Sequence, residues 1–236
     1  MQEKIAYNAL DTWVDANFDA EILFLQQLVR VPTDTPPGNN APHAELTAKL
    51  LTQFGFTVEK HAVPMQEVRG DDNGPHFAFA GHLDVVPPGD GWTHPPYAAE
   101  IADGKMYGRA TAVSKSDFAT FTFALRALES LQTPLNGAVE LHFTYDEEFG
   151  GELGPGWLLK NKLTKPDYLI AAGFSYQVVT AHNGCLQMEV TVHGKMTHAA
   201  IPHTGVDALQ GAVAIINALY AQNALYKAIK SKVEGI

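Results

Sequence analysis

Two apolar runs that each end in a polar cluster constrain the fold of this 236-residue chain more than any other feature. The first run, HFAFAGHLDVV, has the small residues and length typical of a buried strand, and it carries His82 and Asp84 near its C-terminal end. The second run, AVELHFTYDEEFGG, ends in Glu147 and Glu148. Because ligands bind beyond the carboxyl ends of strands in open α/β sheets, these two ends predict a functional site.

Helical patterns alternate with these strands. Residues 18–30 repeat apolar residues at helical spacing, HAELTAKLLTQFGF is typical of a second helix, and DFATFTFALRALESL of a third. The run AEIADGKMYGR predicts a hairpin, and PDYLIAAGF predicts a third buried strand. This alternation favours an α/β sheet with helices on its faces.

The pattern changes near residue 180. CLQMEVTVHGK alternates apolar and polar residues, as a half-exposed strand does, and GVDALQGAVAIINALYAQ is typical of a helix. We therefore expect a catalytic α/β domain over residues 1–181 and the opening part of a smaller α+β unit over 182–236. Since that unit would lack strands to complete its sheet, the sequence is expected to be a fragment.

The net charge of −10 argues against a nucleic-acid or anionic-membrane partner, because phosphate contacts need surplus Lys and Arg. The only cysteine, Cys185, excludes an intrachain disulfide and a Cys-rich metal site, and packing in the interior is its simplest interpretation. No run approaches the roughly 18 apolar residues of a membrane helix, and the N-terminus does not read as a signal peptide. A cytoplasmic location is the default expectation.

The two polar clusters contain the residue types of a metal-assisted hydrolase. His82 and Asp84 lie two apart, so on a strand they point to the same side and Asp84 can hydrogen-bond the imidazole. Glu147 and Glu148 are adjacent and diverge, so one carboxylate can bind a metal while the other takes a proton from water. Zinc would lower the pKa of that water toward neutrality.

Each cluster also has a simpler interpretation. A His-x-Asp pattern arises often by chance, and a run such as Asp146–Glu148 is common in solvated turns. The metal hypothesis depends on both clusters following buried strands.

Longer motifs identify a family. The segments GHLDVVPPGDGW, DGKMYGRA and TYDEEFGGELG resemble the M20 metallopeptidases, a group that includes aminoacylases, acetylornithine deacetylase, succinyl-diaminopimelate desuccinylase and carboxypeptidase G. VTVHGKMTHAAIPHTGVDAL is similar to the start of the lid domain of that family. The resemblance implies a three-layer α/β/α catalytic domain with an inserted lid that forms a homodimer. It also implies one or two zinc ions, for which cobalt or manganese can substitute.

The resemblance also implies individual roles. His82 would bind one metal ion and Asp84 would orient it. Glu147 would be the general base and Glu148 a ligand to the other metal ion. His198 would stabilise the oxyanion of the tetrahedral intermediate in the active site of a neighbouring subunit.

The sequence departs from the family at two expected ligands. Val113 stands where the bridging aspartate is expected, and Asp117, four residues later, could either reach the metals or cap its helix. Phe174 stands where a second carboxylate is expected, and His182 could substitute for it or pack locally. Two functions therefore remain open. One is amide hydrolysis of an N-acyl amino acid or small peptide, and the other is a catalytically impaired binding or regulatory role.

Overall fold

The computed structural model describes residues 2–35, 38–61, 76–132, 137–173, 177–181, 184, 186 and 188–230. The chain divides into two compact units, residues 1–176 and residues 177–236, each considered separately below. Phe174, His182 and Cys185, which the sequence analysis singled out, lie outside the described residues.

A parallel three-stranded sheet forms the centre of the first unit. Its strands are β1 (His76–His82), β4 (Ala138–Thr144) and β5 (Tyr168–Ala171), in the order β4–β1–β5. Strand β1 is paired with β4 from His76↔Ala138 to His82↔Thr144, so both strands end at the same edge. This parallel arrangement confirms the α/β class expected from the alternation of helices and strands.

Four helices of the first unit are described. They are α1 (Gln2–Arg30), α2 (Ala41–Gln53), α3 (Lys115–Ser130) and the short α4 (Pro155–Lys160). Helix α1 packs along α3, and α3 contacts β1 and β4. The apolar positions of α1 and α3 meet in one core with residues of α2 and the chain after β1: Phe24, Leu25, Leu28, Val29, Leu50, Leu51, Leu83, Ala99, Phe118, Ala119 and Phe123.

A two-stranded hairpin supports the segment between the sheet and α3. It joins β2 (Glu100–Ala102) to β3 (Lys105–Tyr107), and its turn residues Asp103 and Gly104 have φ angles of 51° and 70°. Asp and Gly are the residues that such a turn favours, which explains why the hairpin was predictable.

One prediction for the first unit is wrong in part. Strand β5 forms where expected but is not buried, since Leu169 and Ile170 are 56% and 52% exposed. In the described part of the chain β5 pairs only with β1. The apolar run therefore predicted the position of the strand correctly, but it did not predict that the side chains of the strand are exposed.

The second unit contains one long helix, α5 (Ala208–Tyr226). Its N-cap Asp207 accepts hydrogen bonds from the backbone N–H groups of Leu209 and Gln210 at 2.9 and 3.2 Å. The strand predicted over CLQMEVTVHGK does not form among the described residues, where only an isolated antiparallel bridge joins Lys195 to Val206. An alternating pattern needs a partner strand to form a ladder, and no such partner is described there.

None of the described helices is long and apolar enough to cross a lipid bilayer.

Candidate metal centre

The candidate centre lies where β1 and β4 end. His82 is the last residue of β1 and pairs in register with Thr144, the last residue of β4. The Leu83 N–H donates to the Thr144 carbonyl oxygen at 2.8 Å, which extends the pairing one residue further. A short 3-10 helix, Glu147–Phe149, follows β4 almost at once. The parallel register therefore brings both polar clusters of the sequence to one edge of the sheet.

Three side chains converge at this edge. His82, Glu147 and Glu148 each offer one ligand atom, and these atoms all lie within 4.8 Å of one another. His82 Nε2 lies 3.7 Å from Glu147 Oε2. Imidazole nitrogen and carboxylate oxygen are the donors that zinc accepts in catalytic sites. The donor set therefore fits the metal ion that the family resemblance implies.

Asp84 contacts the end of β1 and the segment that follows β4. Its side chain is completely buried. His82 Nδ1 lies 2.9 Å from the Asp84 carbonyl oxygen and 3.5 Å from its Oδ1. The same carboxylate accepts the backbone N–H groups of Glu147 at 3.3 Å and Glu148 at 3.1 Å. Asp84 therefore contacts the ring of His82 and the backbone of both glutamates at once.

These contacts determine which nitrogen of His82 is available. With Nδ1–H donating to Asp84, the neutral ring carries its lone pair on Nε2, on the side of Glu147. Burial lowers the pKa of His82, but the hydrogen bonds to Asp84 and the charge of Glu147 outweigh it and raise the pKa above its ordinary value. In the absence of a cation, this environment attracts a proton for the same electrostatic reason that it would attract a metal ion.

The rest of the pocket is lined by one arginine and three apolar residues. Four further residues line the 350 Å³ cavity around the cluster: Val85, Arg109, Ala110 and Val113. Val113 is 39% exposed and occupies the position where the resemblance expects a carboxylate. The described residues of this pocket thus offer three donors and no fourth at position 113.

Asp117 does not belong to the group of three ligands. It lies in the first turn of α3, which begins at Lys115, and its Oδ2 accepts a hydrogen bond from Ser114 Oγ at 3.1 Å. Ser114, and not Asp117, is the N-cap residue. Burial raises the pKa of Asp117, and the Ser114 hydrogen bond and the charge of His82 oppose that rise. The charge of His82 therefore affects the pKa of Asp117, while the Asp117 carboxylate accepts a hydrogen bond at the start of its own helix.

His198 lies in the second unit. Its side chain is exposed, and its Nδ1 accepts the backbone N–H of Ala200 at 3.1 Å. In the neutral ring the proton is then on Nε2, which is left as a hydrogen-bond donor.

The sequence analysis did not predict the positions of two residues, Arg109 and His43. Arg109 follows the hairpin in the run GRATAVSK, where a single arginine in a loop carries no periodic signal. His43 is completely buried behind the strand ends, where Nε2 donates to the Leu28 carbonyl oxygen at 3.0 Å and Nδ1 lies 2.9 Å from Tyr145 Oη. Only the helical position of His43 on the inward face of α2 could have indicated its burial.

Comparisons with known proteins give three solved structures and one family model that are similar to this chain. Among solved structures, human carnosine dipeptidase 1 is 23% identical with a TM-score of 0.59, covering 70% of this chain and 40% of its own. The M20 family metallo-carboxypeptidase Sso-CP2 from Sulfolobus solfataricus is 21% identical with a TM-score of 0.55, covering 65% and 37%. The dipeptidase Dug1p from Saccharomyces cerevisiae is 18% identical with a TM-score of 0.56, covering 70% and 40%.

The chain spans about two fifths of the length of these structures. Their likeness shows a shared fold. The model of peptidase family M20/M25/M40 matches residues 78–231, a range that begins in β1 and includes every member of the candidate centre. Because this match covers well over half of the chain, the protein belongs to peptidase family M20/M25/M40.

Proposed function

We propose that this protein is a metal-dependent hydrolase that cleaves the amide bond of a small peptide or an N-acyl amino acid. The observation that carries the proposal is the convergence of His82, Glu147 and Glu148 within 4.8 Å at the edge of the sheet. Family membership and the names of two structural neighbours, a carnosine dipeptidase and a dipeptidase, support an amide bond as the target.

His82 and Glu148 would hold the metal ion. His82 presents Nε2 because Asp84 occupies Nδ1, and Glu148 is anchored through its backbone N–H to the same Asp84 carboxylate. Zinc best fits this nitrogen and oxygen donor set, and cobalt or manganese can occupy similar sites. When bound, the ion supplies a Lewis acid that lowers the pKa of a water molecule toward neutrality.

Glu147 is the proposed general base. Its side chain is 60% exposed, so it can exchange protons with solvent, and its Oε2 reaches to 3.7 Å from His82 Nε2. A carboxylate at this position takes a proton from the attacking water and delivers it to the leaving amine. Asp84 contributes by positioning, since it contacts the base, the ligand and the histidine ring without reaching the pocket itself.

His198 is the proposed donor to the oxyanion. Its Nε2 carries the proton because Nδ1 accepts the Ala200 N–H, and its exposed ring is open to a substrate carbonyl oxygen. A neutral or charged imidazole N–H can stabilise the negative charge that develops there. This role depends on assembly of the complete protein.

Hydrolysis of a panel of dipeptides and N-acyl amino acids tests the proposal. The purified full-length protein should release amino acids with added zinc, cobalt or manganese, lose this activity after chelation and regain it when the metal is returned. Failure to cleave any member of the panel with any of the three metals would contradict the proposed hydrolase.

A second candidate is a relative that binds a ligand without turnover. Val113 favours it, because an apolar side chain lines the pocket where the resemblance expects a carboxylate. Metal analysis distinguishes the two functions. A protein that binds no metal yet retains a small-molecule ligand supports this second candidate, whereas metal binding together with turnover rejects it.

A further inference from the structure

The first unit has a second cavity, also of 350 Å³, that is lined by a different set of residues from the metal centre. Its lining consists of the loop of residues 90–94, together with Tyr107 at the end of β3 and Gly108. None of these residues lines the cavity around His82, Glu147 and Glu148. A cavity of this volume accommodates a small molecule. The proposed metal chemistry therefore gives this second cavity no role.

Three of the lining residues have aromatic rings. The rings of His94 and Tyr107 are stacked, with their centroids 4.0 Å apart and their planes at 16°. Trp92 Nε1 donates to the Pro88 carbonyl oxygen at 2.8 Å, which holds an indole that is 39% exposed. The faces of tryptophan and tyrosine rings are electronegative and attract cations, tryptophan most strongly. The rings therefore favour a positively charged ligand.

The charges at this cavity favour the same kind of ligand. Asp90 contributes a carboxylate, which has no hydrogen bond or ion pair within the described part of the chain. His94 Nδ1 lies 2.9 Å from Glu100 Oε2, so the neutral ring donates there and keeps Nε2 as an acceptor. Among the described residues that line the cavity there is no lysine or arginine. A ligand that brings positive charge and N–H donors therefore matches the lining.

The hairpin and the close packing beside it hold these groups in place. Tyr107 pairs with Glu100 across β2 and β3, and His94 stacks on the first and hydrogen-bonds the second. A Cβ atom at Gly108 would lie 3.0 Å from Val29 Cγ1 and 3.1 Å from Pro96 O, so the chain packs closely there. Groups that are positioned before a ligand arrives reduce the ordering cost of binding.

We propose that this cavity binds a small organic cation with N–H donors, an alkylguanidinium or alkylammonium group, through the Asp90 carboxylate and the rings of Trp92 and Tyr107. The carboxylate accepts hydrogen bonds from the cation, and the ring faces contact its positive charge. A planar guanidinium group can make both interactions at once, because its N–H groups lie in its plane and its faces stack on rings. The site is additional to the metal centre and does not depend on the proposed hydrolase.

Calorimetric titration of the zinc-loaded full-length protein tests the inference. The probes are butylguanidinium and N-butylurea, which have nearly the same shape and differ in charge. We expect the wild type to bind the cation about 10-fold more tightly than the urea, the effect of one charge-assisted interaction. D90N should remove most of this preference by weakening binding of the cation alone. D103N is the matched control, because Asp103 is an exposed carboxylate of the adjacent hairpin turn outside the cavity.

Two substitutions at Trp92 test the contribution of the ring. W92L should weaken binding of butylguanidinium by about 2- to 30-fold, the range of a cation–π interaction, whereas W92F keeps an aromatic face and should retain most of the affinity. If W92L does not fold, D90N decides the question, because Asp90 is exposed in a loop. A wild type that binds the cation and the urea equally would overturn the inference, as would equal effects of D90N and D103N.

The metal ligands are also carboxylates, so E148Q shows where the cation binds. Glu148 lines the other cavity, and E148Q should bind butylguanidinium like the wild type both with zinc and after chelation. Loss of cation binding in E148Q, with D90N unaffected, would overturn the inference by placing the cation among the metal ligands. Because the measurement involves no turnover, its result is independent of whether the protein hydrolyses amides.

Discussion

The buried carboxylate of Asp84 accepts the backbone N–H of Glu148 at 3.1 Å. Through its carbonyl oxygen the same residue also accepts from His82 Nδ1. Asp84 therefore contacts both the last residue of β1 and a ligand in the 3-10 helix that follows β4. Hydrogen bonds behind metal ligands commonly set ligand orientation and contribute strongly to metal affinity.

We predict that D84N weakens zinc binding about 10- to 100-fold while His82 and Glu148 remain chemically intact. The amide replaces one acceptor oxygen with a donor, so it cannot accept from both glutamate N–H groups. Competition against a chelating dye measures the affinity. D19N, on the exposed face of α1, is the control and should bind zinc like the wild type. Equal affinity in D84N and wild type would show that Asp84 is not needed to position the ligands.

The two glutamates should have separable effects. We expect E147Q to reduce kcat by about 100- to 10,000-fold with little change in zinc affinity, because the amide cannot take a proton. E148Q should reduce zinc affinity, because it removes a ligand. Metal analysis and turnover on the same preparations measure both effects, with E152Q as an exposed control. A loss of zinc in E147Q equal to that in E148Q would contradict the assignment of Glu147 as the base.

V113D should add a ligand to the pocket. Val113 lines the same cavity as His82 and Glu148, so a carboxylate there would increase the zinc bound per chain. Without metal, the added charge lies near two other carboxylates and should lower the midpoint of thermal unfolding; zinc should reverse that loss. V113T, which adds polarity without charge, is the control. Metal content that is the same in V113D and V113T would reject the idea that position 113 limits the site.

Stability should depend on pH through His43. Burial, with a smaller effect from the charge of Lys115, lowers the pKa of His43 to about 3. In the unfolded chain the pKa is near 6.5, so the unfolded state binds more protons between about pH 3 and pH 6.5. The free energy of unfolding that neutral His43 contributes is complete above pH 6.5 and is lost at up to about 1.4 kcal/mol per pH unit as the pH falls.

Replacing His43 should flatten this dependence. H43Q keeps polar atoms but does not titrate in that range. Urea unfolding at pH 4.5, 5.5, 6.5 and 7.5 gives the slope for each protein. H61Q is the control, because His61 is not completely buried. A wild-type slope that H43Q leaves unchanged would mean that another group carries the acid sensitivity.

The sequence predicted that His82, Glu147 and Glu148 lie close together more successfully than it predicted the burial and pairing of the other strands. His82 and the Glu147–Glu148 pair follow apolar runs, and the parallel register of β1 and β4 necessarily brings such runs to one edge. By contrast, the burial of strand β5 depends on which elements cover it. Whether the alternating run that ends at Lys195 forms a strand depends on which segment pairs with it. Neighbouring elements decide burial and pairing in strands, and an isolated segment does not encode them.

Residues whose contacts depend on the tertiary fold were the hardest to predict from the sequence. Arg109 follows no sequence pattern, and the fold alone places it beside the pocket. Asp84 was expected to contact His82 with its carboxylate. The closer contact is to its carbonyl oxygen, and the carboxylate is used mainly by the backbone of the two glutamates. Backbone acceptors are present at every residue, so no sequence pattern distinguishes this arrangement.

Anomalous diffraction at the zinc absorption edge, from crystals of the full-length protein grown with zinc, tests the central claim most directly. We predict an anomalous peak within coordination distance, about 2.0–2.2 Å, of His82 Nε2 and a Glu148 carboxylate oxygen. No peak at this position, or zinc bound only at other residues, would contradict the account.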